Sequence, residues 1–284
     1  MKKKTKRHPL KILLLSLLAF LLILCLALQI GYTVSDNNVT IWKPGYEKAD
    51  LTDVLNKETL TEADYTLLYR QTGLTKTGVD RALSRGTKGK ERIRAIQNFF
   101  FGTQTVKKTP FAPWMCTDYL EDLVAGIYLE DGDILVTGST HLSGMRVGHA
   151  GLVIDGERGD ILQATAYGSL SRIGDIENFT NRINFMVLRV KADPETRARV
   201  VNYAKENLVG LTYNALLGTA SGGEGQKETQ CAHLVWYAYH TCGYELIDGD
   251  RMFVLPYDLA NSDCVELVQV FGFDPDRLWD RLFF

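Results

Sequence analysis

Cysteine is scarce in this chain. There are five in 284 residues, an odd number, widely spaced and without a C-x-x-C pair. That excludes a disulfide-dense scaffold and offers no zinc-ribbon spacing, so no metal and no cofactor is expected. Proline is rare too, at 7, and there is no internal repeat or low-complexity tract, which excludes disordered and collagen-like chains. Nor is there an overall basic excess: the formal net charge is −2, which argues against a nucleic-acid binder. What is present is a globular composition, 45% hydrophobic, 10% aromatic and 23% charged, in a chain long enough for one or two compact units.

The net charge hides an asymmetry. Six of the 32 basic residues (Lys2, Lys3, Lys4, Lys6, Arg7 and Lys11) fall in the first thirty positions, which hold no acid, so the rest of the chain carries 26 positive against 34 negative charges. The basic cluster precedes an uncharged run from Ile12 to Ile30. Nineteen residues at a helical rise span about 28 Å, close to the hydrocarbon thickness of a bilayer. A cleaved signal has a shorter apolar stretch, and no A-x-A site follows this one. A lipoprotein site needs a small residue before its cysteine, whereas Leu24 precedes Cys25. The segment therefore reads as a transmembrane signal anchor over 12–30 behind a cytoplasmic tail, 1–11. The positive-inside rule then puts the remainder outside the cell membrane.

Residues 31–50 read as a linker. Residues 51–125 read as helical, with apolar positions at helical spacing (Leu67, Leu68, Val79, Leu83, Ile93, Ile96), Thr61 and Asp64 as an N-cap pair and Gly73 as a break. No cluster of His, Cys or paired acids is visible there, and packing is its expected role. From residue 130 the texture changes to strands over 132–136, 147–155, 160–166 and 184–190, with Gly156 and Gly159 marking a tight connection. A helix follows from Pro194 to Gly210, then a Gly-rich loop, then the apolar helix CAHLVWYAYHT closed by Gly243. The expected class is α+β, a small antiparallel sheet packed on helices.

Cys231 stands where that loop enters that helix. Unpaired N–H groups and the positive helix end would acidify a thiol there and could receive an oxyanion. The bland alternative is a small buried apolar residue, the reading given to Cys116, Cys242 and Cys264; Cys25 is membrane-embedded. A thiol nucleophile needs a base. Of five histidines His149, on a predicted strand, is best placed, although alone it would be a core histidine. His141 falls in an expected loop, His233 points about 200° away from Cys231 on the same helix, His240 reads as structural or exposed, and His8 as cytoplasmic. Gln163, on the next strand, could accept the imidazole proton and fix its tautomer. Asp155 and Glu157 are rivals near the turn.

GDIL, GHAGLVID, ILQA and CAHLVWYAY, in that order, resemble the circularly permuted papain-like hydrolases of the NlpC superfamily, the YaeF/YiiX group. GLTYN before the cysteine helix and VLPYDLANSDCVELV after it extend the resemblance to about residues 128–271. It implies a permuted papain-like hydrolase domain over 128–284, with Cys231 as nucleophile, His149 as base and Gln163 as third residue, where many members carry Glu. It also implies metal-free hydrolysis of peptide-like amides, with a peptidoglycan stem peptide as substrate. Related permuted folds act on lipids, as lecithin–retinol acyltransferase does, and a non-catalytic binding module is the remaining alternative. The helical extension, 31–127, lies outside the resemblance.

Overall fold

The computed structural model describes residues 9–38, 41–112, 114–124, 126–223 and 225–280. Residues 1–8 of the basic tail, with His8, lie outside the described residues. In chain order come helices α1 (Pro9–Asn38), α2 (Thr52–Leu55), α3 (Glu62–Thr72), α4 (Lys76–Leu83) and α5 (Thr87–Phe101). Strands β1 (Val106–Ala112), β2 (Met115–Leu120), β3 (Ile134–Thr137), β4 (Thr140–Leu142), β5 (His149–Asp155), β6 (Asp160–Gln163) and β7 (Arg172–Asp175) follow. The chain continues with α6 (Glu177–Thr180), β8 (Phe185–Val190), α7 (Pro194–Asn207), β9 (Thr212–Tyr213), β10 (Glu228–Thr229), α8 (Cys231–Thr241), α9 (Pro256–Ala260) and β11 (Val265–Phe271).

The class is mixed α+β with small antiparallel sheets. A six-stranded sheet runs β11–β8–β3–β5–β6–β7, a three-stranded one runs β1–β2–β4, and β9 pairs with β10 in parallel. The central strands ILVT and FMVLRV are β-branched or apolar and buried along their whole length, so both faces of the large sheet are covered. On one face Ala150, Leu152, Ile154 and Leu162 pack against α7 and α8. On the other, Leu135, Val153, Ile161 and Val187 pack against Phe100, Phe179 and Phe271. Each fully buried side chain of this size contributes about 1.5–3 kcal/mol. α7 starts as its sequence suggests: Asp193 accepts the Thr196 amide at 2.8 Å and Pro194 takes the first turn.

The expectation for 51–125 is half right. α3 begins with the Thr61–Asp64 capping box and ends at Gly73, as read from sequence. Residues 106–120, however, form the β1–β2 hairpin rather than helix. Neither VKKTPFA nor MCTDYL alternates apolar with polar residues, and three consecutive residues of β2 are buried, so no period of two marked the hairpin. Gly73 has a φ of 73°, and a Cβ there would sit 2.0 Å from the Val270 carbonyl. This close approach lets Gly73 and Thr75 exchange backbone hydrogen bonds with Val270 and Val268 at 2.8 and 3.0 Å. The edge of β11 is thereby closed by the helical extension. Asp133 ties the sheet further, fully buried and gripped at both oxygens by Arg189 at 2.9 Å.

α1 is longer than the predicted span. Pro9–Val34 is apolar enough to cross a membrane, with a mean hydropathy of 2.9 in its best window and nothing packed over that window. Its far end touches the folded part, where Ser143 Oγ donates to the Leu28 carbonyl at 3.1 Å.

Candidate active site

α8 opens on Gln230, whose backbone is extended and whose Oε1 accepts the Ala232 amide at 2.9 Å. Glutamine is an unusual cap. It is held in place because its Nε2 donates to the Val254 carbonyl. Cys231 is the first helical residue and only 8% exposed. Its Sγ–H donates to Gln230 Oε1 at 3.4 Å, and the Ala150 amide is near enough to the sulfur to favour its thiolate form.

The expected acidification does not occur. Burial pushes the Cys231 thiol up to about 11, against the pull of the Ala150, Ala232 and Cys231 amides. Desolvation of the thiolate outweighs the helix end. One of the amides proposed for an oxyanion, that of Ala232, is also occupied by the Gln230 cap.

His149 is the first residue of β5, 7% exposed. β5 and β6 pair Leu152 with Leu162, so Gln163 falls diagonally across from His149 on one face. His149 Nε2 lies 2.8 Å from Gln163 Oε1. An amide oxygen only accepts, so Nε2 carries the proton and Nδ1 keeps the lone pair. The ring stacks on Phe179 at 5.4 Å and 17°. Burial pulls the imidazole down to about 4, the Arg182 charge adds to this, and the Gln163 bond opposes it. At neutral pH the pair is therefore thiol and imidazole, both uncharged. The rivals stay at the turn: Asp155 Oδ1 accepts the Glu157 and Arg158 amides at 3.1 and 2.9 Å.

The two key groups are neighbours without a direct bond. The sulfur meets the amide of the residue after His149. The ring itself leans onto the Phe179 face, while α8 packs the Ala150 face. No hydrogen bond joins them among the described residues. His149 and Ala150 are consecutive on β5, so their side chains take opposite faces of the sheet, Cys231 packing with the Ala150 face and the imidazole with Phe179.

The other histidines of the domain are structural. His233 is buried, 3.1 Å from Thr229 Oγ1 and stacked on Tyr237, while His240 pairs with Glu245 at 2.8 Å. Cys242 and Cys264 are only partly buried. Tyr213, from the GLTYN segment, lies close enough to feel the Cys231 charge, and it meets exposed Tyr167 edge-on at 5.2 Å.

A second group escaped the sequence reading. Cys116, Asp118 and His141 are all buried, with their ligand-type atoms within 4.8 Å of one another. His141 is on β4, not in a mobile loop, because β2 and β4 pair Cys116 with His141. The C-T-D alternation on one strand was visible, but its partner strand twenty-odd residues later was not.

No protein-family model, curated protein or solved structure matches the chain.

Proposed function

We propose that the chain is a membrane-anchored extracytoplasmic cysteine hydrolase with a permuted papain-like fold, cleaving amide bonds in cell-wall peptides. The observation that carries this reading is the sulfur of Cys231 at a helix start, near the amide that follows His149, whose ring is bonded to Gln163. Location outside the membrane follows from the basic tail ahead of α1 and the length of that helix.

In the proposed cycle substrate enters along Tyr213, and His149 turns its Nδ1 to the thiol. The Cys231 proton passes to Nδ1 as Sγ bonds to the carbonyl carbon and the π pair moves to oxygen. Collapse breaks the C–N bond, and the amine leaves with the proton from His149. Water then attacks the thioester, giving its proton to Nδ1. The acid departs, and the proton returns to sulfur. Because both groups start neutral, attack and proton transfer are concerted rather than drawn from a standing ion pair.

A second reading, hydrolysis or transfer of lipid acyl groups, is favoured by one feature. Tyr167 and Leu170 are exposed beside Tyr213, an apolar lip at the approach to the sulfur of a chain carrying a membrane-length helix. Incubation of full-length protein with wall fragments or lipid vesicles, followed by mass spectrometry of Cys231, tests both. A peptidyl adduct supports the first reading and a fatty-acyl adduct the second. Turnover of wall peptide that survives both Cys231→Ala and His149→Ala overturns the hydrolase mechanism. No turnover and no adduct on any substrate leaves the binding module.

A further inference from the structure

We propose that Cys116, Asp118 and His141 form a binding site for a divalent transition-metal ion of the zinc type. The backbone builds the triad. Cys116 and Asp118 are two apart on β2 and so share a face, and the β2–β4 register sets His141 directly across from Cys116. The three side chains come from two strands locked by backbone pairing, which gives them little freedom to part.

An independent observation points to a cation. Asp118 is 0% exposed, and among the described residues neither of its carboxylate oxygens accepts a hydrogen bond. Its ionisable neighbour is His141, whose Nε2 is 3.5 Å from Oδ2. A buried carboxylate without donors is costly unless something positive meets its lone pairs. A divalent ion does so and also balances the charge, since one thiolate and one carboxylate cancel it and the imidazole is neutral.

The dimensions agree. Bonds of about 2.0–2.3 Å at tetrahedral angles separate ligand atoms by roughly 3.3–3.8 Å. The Asp118–His141 pair, at 3.5 Å, is already there, and all three ligand atoms lie within 4.8 Å of one another. The S, N, O donor set disfavours magnesium and calcium, which take oxygen alone, and suits zinc. Full burial shuts substrate out, so the ion is structural. It clamps β2 to β4, the strand that leads through 143–148 into His149. Cys116 must be deprotonated to bind, so capture accompanies folding.

The test uses full-length protein purified in detergent and does not depend on any hydrolase activity. Metal analysis is expected to give one zinc per chain. Cobalt(II) in its place is expected to give thiolate-to-cobalt charge-transfer absorption and the strong visible bands of a tetrahedral site. Cys116→Ser should abolish the charge-transfer band, and Asp118→Asn and His141→Gln should each weaken zinc at least tenfold in competition with a chelating dye. Cys231→Ala should change none of this. If the variants do not fold, zinc should still raise, and a chelator lower, the melting temperature of the wild-type chain. A wild-type chain that takes up no metal at one equivalent and melts identically with zinc and chelator would overturn the site. So would a cobalt band lost in Cys231→Ala and kept in Cys116→Ser.

Discussion

Among the described residues two buried cysteines lie near buried histidines, Cys231 near His149 and Cys116 near His141, and the two places are framed differently. Cys231 starts a helix, with the Ala150 amide near its sulfur and Tyr213 close enough to feel its charge. Cys116 sits mid-strand, across a ladder from His141, with a buried carboxylate beside it and no opening to solvent. On the proposed readings the same two side-chain chemistries serve different ends, the thiol at a helix start attacking a substrate and the one fixed between strands holding an ion. The short connection 143–148, ending in Gly148, joins the two centres.

The comparison breaks most visibly through the cysteines themselves. Cys231→Ala is expected to reduce turnover of wall peptide by at least about a thousandfold, roughly 4 kcal/mol of barrier, with the melting temperature nearly unchanged. Cys116→Ala should do the reverse, lowering the melting temperature while sparing turnover per folded molecule. Kinetics and calorimetry on both variants check this, and an exchange of the two outcomes swaps the assignments.

Acid should strike the first centre next. His149 is held near 4 in the fold against about 6.5 in the open chain, so the unfolded state binds more protons between those values. Stability is full above pH 6.5 and is lost as the pH falls toward 4, by on the order of 3 kcal/mol. Urea denaturation at a series of pH values should show that loss in wild type and a shallower one in His149→Gln. Parallel curves would mean that the buried imidazole is not the cause.

The connection between the centres is the third point of attack. Gly148 has a φ of 65°, and a Cβ there would lie 2.4 Å from the Thr137 carbonyl and 2.6 Å from Trp279. Gly148→Ala is expected to cost about 2 kcal/mol in chemical denaturation and to perturb the reactivity of both Cys231 and Cys116. An effect confined to one cysteine would show the two centres to be independent. The smallest change is expected from Gln163→Ala, which loosens the imidazole without removing it. A roughly tenfold fall in kcat, about 1.4 kcal/mol, should be rescued by Gln163→Glu, since a carboxylate also accepts from Nε2.

Much of this was legible in the residues. The apolar helix, the strands bearing His149 and Gln163 and the helix opening on Cys231 all follow from local patterns of apolar spacing and turn residues. The diagonal contact of His149 and Gln163 followed from one short turn between neighbouring strands. Three features were not legible, each because it depends on distant partners. The closure of β11 by Gly73 and Thr75 joins segments almost two hundred residues apart. The β2–β4 pairing that assembles Cys116, Asp118 and His141 needs a register no single strand encodes. The thiol of Cys231 is raised and not lowered because its burial comes from the whole domain, whereas the helix end is local.

The junction of α1 with the rest of the chain has a mechanical result. Ser143 grips the Leu28 carbonyl, and the Trp42 amide is fixed to the Gly272 carbonyl on the body of the protein. With α1 in a bilayer, these two ties would hold the folded body at one height, so that it reaches about its own diameter, roughly 45 Å for a body of this size, from the lipid.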